Sequence, residues 1–338
     1  MSILNTASFN DLVANKDVFF NKGANSVEPA AFKSGLYKTD TWGQGTGDTR
    51  EYSEIDLEQY ASRKPEGDDA STAKVQQGYS KTVKPFRFAK DIQITWEMRD
   101  YNKYQSVVTQ LTAMGYLVAN RLELDLQHRF TFGTATTYTD MDGFVVDITT
   151  GDGLALFSTV HTLTGSSTTY RNRLAGNPQL SRGSIEAMEK MLVENTLNNF
   201  GQKMALTYDV LWVTDDPNTN NTARELMQST AEVSAPNAGV VNVYKAKYRI
   251  VRLPLVATTP TGQVDSTKAK YWGIAASGLI GAEGYCSIAE APHMTAPQAG
   301  TNQDNASTDD WVFCGRATYA IVWVIGRGVA LSTGDGAA

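Results

Sequence analysis

The sequence contains few of the residues that build metal, redox and nucleophilic sites. It has two cysteines, Cys286 and Cys314, and three histidines among 338 residues. The cysteines do not form a CxxC pair, so the sequence indicates neither a zinc site nor a redox motif, and two small buried thiols are the simpler interpretation. Walker, HExxH and dinucleotide-binding motifs are also missing. We therefore predict no metal and no cofactor.

An excess of basic residues and a long apolar run are missing as well. The formal net charge is −6 and the pI is about 5.2. A protein that coats nucleic acid needs Lys and Arg in excess, so any contact with nucleic acid is expected to be passive. No segment reaches the roughly eighteen apolar residues of a membrane span, and Met1 to Asn5 does not begin a signal peptide. This pattern predicts a cytoplasmic product without a membrane partner.

The strongest positive signal is one long amphipathic helix, predicted from Asn102 to Phe132. Hydrophobic residues make up 41% of the chain, enough for a substantial core, and the length favours two domains. In the helix they recur at the three-and-four spacing that lines one face: Tyr104, Val107, Val108, Leu111, Met114, Val118, Leu122, Leu126 and Phe130. Such a helix is roughly 45 Å long, which is more than a compact single-core domain usually needs.

The segment before this helix, Asp48 to Lys90, predicts a long β-hairpin. Its residues run out to a turn at Lys64 to Asp69 and return with the alternation of a strand. Asp48 to Ala73 has eight acidic and three basic residues, whereas Lys74 to Lys103 has seven basic and three acidic residues. Pairing between the hairpin's own strands explains part of this split. A hairpin with so little apolar surface is only marginally stable alone, so we expect a neighbour to support it.

Beyond the long helix, helices and strands alternate, which indicates an α/β or α+β layer domain. A helix is predicted from Ser184 to Asn199, with Ser181 or Ser184 as its N-cap and Gly201 after it. The remaining predicted elements are a strand at Val210 to Thr214, a helix at Thr222 to Ser229, a β-rich stretch at Val240 to Val256, strands at Tyr271 to Ala276 and Tyr285 to Ala289, and a terminal hairpin of Trp311 to Cys314 with Thr318 to Ile325.

The polar residues that could do chemistry all have a simpler structural interpretation. Ser158 and His161 are three residues apart, a spacing that matches no nucleophile elbow or catalytic triad. Asp215 and Asp216 could hold a divalent cation, but a turn and a helix cap explain them equally well. His128 is expected on a solvated helix face and His293 in a loop. The absence of a convergent polar cluster favours a structural protein over an enzyme.

The order of these parts resembles a tailed-phage major capsid protein of the Hong Kong 97-type fold. The arm, the charged hairpin, and the strand from Asp91 to Glu97 that runs into one long helix carry this resemblance. Local stretches are similar to the Mu-like branch of head subunits: Leu156 to His161, Tyr170 to Arg173, Leu180-Ser181 and Asp209 to Val213. The ending, Arg316 to Ala320 through Gly326 to Ala330, is similar to the family's closing hairpin.

The resemblance implies an α+β fold with a defined set of parts. Residues 1–47 would be the N-terminal arm and residues 48–90 the extended E-loop hairpin. Residues 91–180 would be the P-domain, with a spine helix at 102–132, and residues 181–310 the A-domain. Residues 311–338 would be the closing strands that return to the P-domain. Because few residues precede the E-loop and Met1 is present, a separate scaffolding protein is expected.

The function that the resemblance implies is self-assembly into the icosahedral head shell that encloses the double-stranded DNA genome of a tailed phage. The expected partners are copies of the chain in pentamers and hexamers, a scaffolding protein, a portal, and DNA in passive contact. The expected location is the virion capsid, assembled in the host cytoplasm. Two alternatives stay open: an encapsulin-like nanocompartment shell, and a soluble α/β hydrolase that uses Ser158 and His161 or a metal at Asp215 and Asp216.

The resemblance also suggests a role for the charge split of the hairpin. Its acidic strand would lie over basic residues of the adjacent subunit, held by complementary potential. The candidate inter-subunit contact residues are Asp48, Glu51, Glu54, Asp56, Glu58, Lys81, Lys84, Arg87 and Lys90.

Overall fold

The computed structural model describes residues 11–43, 47–101, 104–231, 241–296 and 310–336. In chain order the helices are α1 Lys16–Ala24, α2 Trp96–Asp100, α3 Tyr104–Thr131, α4 Arg182–Asn195, α5 Pro217–Gln228 and α6 Ser277–Glu283. The strands are β1 Lys38–Thr41, β2 Arg50–Leu57, β3 Val75–Val83, β4 Phe86–Ile94, β5 Thr137–Thr139, β6 Val145–Asp147, β7 Val210–Val213, β8 Arg249–Arg252, β9 Trp272–Ala275, β10 Gly284–Thr295 and β11 Trp311–Trp323. No helix in the described ranges is long and apolar enough to cross a membrane.

The long helix is confirmed as α3. Most residues of the predicted apolar stripe from Val107 to Phe130 are buried, including Leu111, Met114 and Leu126. It packs against β4, β10 and β11 on one side and against α1 on another. At the α1 crossing, a Cβ on Gly23 or on Gly115 would overlap a backbone carbonyl of the other helix, so glycine is required there for the two backbones to approach.

The main sheet has the strand order β1-β10-β11-β4, with β1 parallel to β10 and the other pairs antiparallel. Along β11, buried and half-buried residues alternate up to Tyr319, as expected where one face of a sheet packs on a core. From Tyr319 to Trp323 every residue is buried, because this end of the strand is covered on both faces.

A second, smaller sheet has the order β8-β7-β9, and helices α4 and α5 pack on it. Ser181 caps α4 in a reciprocal pair of hydrogen bonds with Ser184, which confirms a predicted cap. Phe130 joins the two sheets, since its ring lies within 5.3 to 6.1 Å of the ring centroids of Tyr37, Phe157, Trp212 and Trp323. One aromatic core therefore connects α3 to both sheets.

The predicted terminal hairpin is wrong in its pairing. Trp311 to Cys314 and Thr318 to Ile325 are not its two halves, because β11 runs without interruption from Trp311 to Trp323 and its hairpin partner is β10. Gly315, between the two predicted halves, lies in the strand opposite Lys90 and Met294. A Cβ on Gly315 would overlap the Met114 side chain of α3. This glycine therefore marks a close approach of strand and helix rather than a turn.

Other element boundaries also differ from the prediction. The strand expected to begin at Asp91 begins at Phe86, because β4 pairs with β11 from Phe86 to Ile94. The helix expected to begin at Thr222 begins at Pro217, since Asp216 caps it. In the β-rich stretch expected from Val240 to Val256, β8 is the only strand among its described residues.

Candidate functional site

The structure does not assemble the predicted hydrolase site. His161 binds Asp152 through Nδ1, at 2.7 Å, and stacks on the Tyr170 ring. The Ser158 hydroxyl instead donates to the Val160 carbonyl at 3.2 Å, and no hydrogen bond in the described ranges joins it to His161. Because a nucleophile needs its base within hydrogen-bond reach, the pair His161–Asp152 supports the loop rather than activating Ser158.

The two aspartates at the end of β7 are held by protein partners. Asp216 accepts hydrogen bonds from the Thr219 amide and hydroxyl, as the N-cap of α5. Asp215 forms an ion pair with Arg252 at 2.5 Å. Within the described ranges, no group of three or more metal-ligating side chains is present. The turn-and-cap interpretation of Asp215 and Asp216 accounts for both residues.

His128 is not on a solvated helix face as predicted. Its side chain is buried, its Nε2 lies 3.0 Å from the Thr258 hydroxyl, and its ring contacts Phe132 and Tyr138 edge-on. Burial lowers the pKa of His128 to about 3, with the nearby cations adding to the effect. His293 is not in a loop as predicted, because it lies in β10 opposite Arg316, from which it accepts a hydrogen bond at 3.2 Å beside Glu290. Neither histidine faces a cavity with a catalytic partner.

The β2–β3 hairpin is the part of the molecule with the clearest functional geometry. Its strands pair antiparallel from Arg50 opposite Val83 to Leu57 opposite Val75, with an irregular step after Ser53. Because side chains alternate along a strand, β2 has two different faces. Tyr52, Glu54 and Asp56 face the body of the subunit and are buried or half-buried, whereas residues 51, 53, 55 and 57 are exposed.

The inward carboxylates of β2 meet Arg327, which follows β11. Arg327 forms ion pairs with Glu54 and, at 3.3 Å, with Asp56, and it donates to the Leu197 carbonyl at 2.7 Å. Glu283, at the end of α6, lies 3.8 Å from the Arg327 Nε. The Arg327 side chain is 2% exposed, so these charges interact with little solvent screening. We call Arg327, Glu54, Asp56 and Glu283 the Arg327 cluster.

Three carboxylates surround this one guanidinium, and the fold moderates their repulsion. The Asn199 amide donates to Asp56 at 2.9 Å, and the Asn199 side chain donates to Glu54 at 2.7 Å. Glu283 accepts from the Gly328 amide at 2.7 Å, and burial raises the pKa of this carboxyl well above its usual range. A raised pKa shifts Glu283 towards its neutral acid form relative to an exposed carboxyl, which lowers the excess negative charge. Gly78 leaves room for this packing, since a Cβ there would overlap Glu54 and Asn199.

The basic strand β3 is attached at a second point with the opposite polarity. Lys81 forms an ion pair with Asp147 at 3.0 Å, and it donates to the Thr149 hydroxyl at 2.7 Å and to the Thr149 carbonyl. Its side chain is 14% exposed, and burial lowers the pKa of Lys81. We call Lys81, Asp147 and Thr149 the Lys81 cluster. The two strands of the hairpin thus use opposite charges to bind the same body.

The predicted contact residues fall into three groups. Glu54, Asp56 and Lys81 bind the body as described. Arg87 pairs with Glu290 at 3.5 Å, Asp48 pairs with Lys84 at 3.3 Å, and Glu58 accepts from the Lys74 amide at 3.4 Å. Glu51 and Lys90 are exposed, and no ion pair to either is found among the described residues. Sequence reasoning missed Arg327, Glu283, Asn199 and Asp147, because they are far from the hairpin in the chain.

The outward face of the hairpin is apolar near its distal end. Ile55, Leu57 and Val75 are 68%, 57% and 61% exposed, and Leu57 pairs directly with Val75. We call these three residues the outer patch. Contiguous exposed apolar side chains of this kind are typical of a surface that contacts another protein.

Comparison with solved structures identifies the fold. The virus-like particle from Pyrococcus furiosus matches with a TM-score of 0.50 at 11% identity, covering 95% of this chain and 99% of that chain. The capsids of cyanophage P-SCSP1u and bacteriophage PhiM1 match with TM-scores of 0.49 and 0.46 at 10% and 12% identity, over 88% and 87% of this chain and 85% and 83% of those chains. No protein-family model and no curated protein matches. The chain has the α+β Hong Kong 97-type capsid fold that the resemblance implies.

Proposed function

We propose that this chain is a major capsid protein, which self-assembles into the icosahedral head shell around the double-stranded DNA of a tailed phage. The observation that carries the proposal is the hairpin with its outer patch, an apolar surface that the described residues of the chain leave more than half exposed. Repeated contacts between identical subunits bury such a patch in a closed shell. The full-length similarity to a virus-like particle supports the same conclusion.

The finer parts of the proposal rest on the resemblance of the sequence. They are a Mu-like head subunit, pentamers and hexamers, a separate scaffolding protein, a portal, assembly in the host cytoplasm, and the division into arm, E-loop, P-domain, A-domain and closing strands. The net charge of −6 suits passive contact with packaged DNA, because an acidic chain confines the genome without binding it tightly. In this proposal the shell acts through repeated contacts and not through catalysis.

The contact hypothesis for the charged residues of the hairpin also stays a proposal. Charge reversal at Glu54 or Asp56 would disturb the Arg327 cluster inside the subunit as well as any contact with a neighbour. Glu51 and Lys90 are better positions for testing that contact, since both are exposed and neither is part of the two clusters.

Electron microscopy of the purified protein tests the proposal. Wild-type chain is expected to form closed shells, and the double variant Ile55→Ser/Leu57→Ser is expected to stay unassembled with an unchanged circular dichroism spectrum, because it removes apolar surface without touching the core. Val264→Ser is the matched control, since Val264 is 88% exposed but lies far from the hairpin in the chain. A wild-type chain that stays monomeric at high concentration, or a double variant that assembles normally, would contradict the proposal.

The encapsulin-like nanocompartment is the second candidate for the same fold. A phage head and a nanocompartment differ in the contents of the shell and in whether a tail is attached to it. Particles that package DNA and bear tails support the phage head, whereas small shells filled with a protein cargo support the nanocompartment. The quoted local stretches that are similar to Mu-like head subunits favour the phage head.

A further inference from the structure

We propose that the Arg327 and Lys81 clusters form a two-point electrostatic clamp that holds the β2–β3 hairpin on its own subunit and sets the angle at which it meets the next copy. The importance of that angle for shells rests on the proposed function; the clamp itself is a property of the single chain. The structure gives the hairpin's charges partners in the same subunit, which the sequence alone did not indicate.

The geometry of the two attachment points supports a clamp rather than incidental surface pairing. The Arg327 cluster binds β2 and the Lys81 cluster binds β3, so the two strands are held separately. Side-chain exposure is 2% at Arg327 and 14% at Lys81, although Asp147, the partner of Lys81, is 59% exposed. In the exposed Lys84–Asp48 pair the values are 61% and 78%. Ion pairs shielded from water are screened less and depend more strongly on geometry than exposed ones.

The polarity of the clamp accounts for the sign of the charges at Glu54, Asp56 and Lys81. An acidic β2 fits the single guanidinium of Arg327, and a basic Lys81 on β3 fits Asp147. The opposite arrangement would place Lys81 beside cationic Arg327, or the β2 carboxylates beside Asp147. The split therefore specifies one face and one docked position of the hairpin, because like charges at either point would be repelled.

Apolar packing supports the base of the hairpin, where Tyr52 and Val83 join a cluster with Leu163, Val322 and Ile325 of the body. Tyr52 stacks on Tyr285, with ring centroids 4.4 Å apart, and Tyr79 binds the Thr162 hydroxyl at 2.6 Å. Beyond Leu57, residues 58–74 are half-buried or exposed throughout. Apolar packing thus anchors the base of the hairpin. Because such packing is non-directional, the two charged clusters set the orientation of the hairpin.

Hydrogen exchange measured by mass spectrometry tests the clamp in single subunits. The measurement needs unassembled chain. If the wild-type chain assembles, the variants are made in the Ile55→Ser/Leu57→Ser background; if it does not, they are made in the wild-type chain. The test of the clamp therefore does not depend on the proposed function. Glu54→Gln/Asp56→Asn is expected to raise amide exchange across residues 50–83 by about tenfold, because the docked state is depopulated. Lys81→Gln tests the second point independently, and the same increase is expected there.

The matched control is Glu51→Gln, which removes one negative charge from the outward face of the same strand. Its exchange is expected to stay within about twofold of the parent, since Glu51 is in neither cluster. Unchanged exchange in either Glu54→Gln/Asp56→Asn or Lys81→Gln, or an equal increase in Glu51→Gln, would overturn the two-point clamp. In assembling chain, Glu54→Gln/Asp56→Asn is expected to give shells of mixed diameter. Uniform shells of wild-type diameter would overturn the role of the angle.

Discussion

Phe130 on α3 and Glu54 on β2 show how differently the body and the hairpin are held. Phe130 is fully buried among four aromatic rings, and Glu54 lies against one guanidinium. Apolar burial is non-directional and adds up over area, so it fixes a compact body without fixing any single orientation closely. A buried ion pair has little tolerance for misplacement. Apolar burial therefore stabilises the body, whereas ion pairs define the position of the hairpin.

The largest expected effect tests the body. Phe130→Ala is expected to lower the free energy of unfolding by about 3–5 kcal/mol, because it leaves a cavity where both sheets meet α3. Urea unfolding of the unassembled chain measures it. Phe86→Ala is the matched control, since Phe86 is 65% exposed at the start of β4 and its loss is expected to change stability by less than about 0.5 kcal/mol. Similar losses for both variants would mean that the aromatic core does not dominate the body.

A smaller effect is expected from pH, again in the body. Burial lowers the pKa of His128 to about 3 in the folded chain, below its ordinary value of 6.5. As the pH falls below 6.5, the unfolded chain takes up a proton that the folded chain does not, so stability is lost towards acid pH. At pH 5 the loss from His128 is about 2 kcal/mol relative to pH 7.

Comparison with His128→Gln isolates this contribution from the other titrating groups. Urea unfolding at pH 7 and pH 5 is expected to show a smaller drop for the variant than for the parent chain, by about 2 kcal/mol. Equal drops in the two proteins would mean that His128 is solvated, as its sequence neighbours first indicated. Burial raises the pKa of Glu283, so this carboxyl acts in the opposite direction: its contribution is full at low pH and is lost as the pH rises.

The sequence predicts the elements whose signal is local. α3 ends one residue before the predicted end, because the apolar stripe repeats over the whole helix, and the predicted start at Asn102 lies outside the described residues. The hairpin is predicted by its alternation and its turn. The predicted pairing of the terminal hairpin is wrong, because the chain does not turn at Gly315. This glycine allows the strand to approach α3 closely, a contact that only the folded structure contains.

In the candidate site, too, local sequence patterns do not indicate contacts between residues that are far apart in the chain. Glu54 and Asp56 are found by counting charges, but Arg327 is separated from Asp56 by 271 positions, and no local pattern links them. His128 fails for a related reason. Its charged neighbour Asp125 suggests a solvated face, whereas the structure buries Asp125 against Arg121 and the Tyr319 hydroxyl. A charged residue in a sequence window indicates solvent only when its partner is not buried with it.

The smallest expected effect tests whether burial is what distinguishes the clamp from ordinary surface charge. Lys84→Gln removes the exposed ion pair between Lys84 and Asp48, in which the nitrogen and oxygen are 3.3 Å apart. The Lys84 side chain is 61% exposed and the Asp48 side chain is 78% exposed. The free energy of unfolding is expected to change by less than about 0.5 kcal/mol and hairpin exchange to stay near the parent value, because water and salt screen the pair. Lys81→Gln, three residues earlier in the chain and on β3, is the comparison. If Lys84→Gln raised hairpin exchange as much as Lys81→Gln, then the total positive charge of Lys81 and Lys84, and not the two attachment points, would hold the hairpin in place.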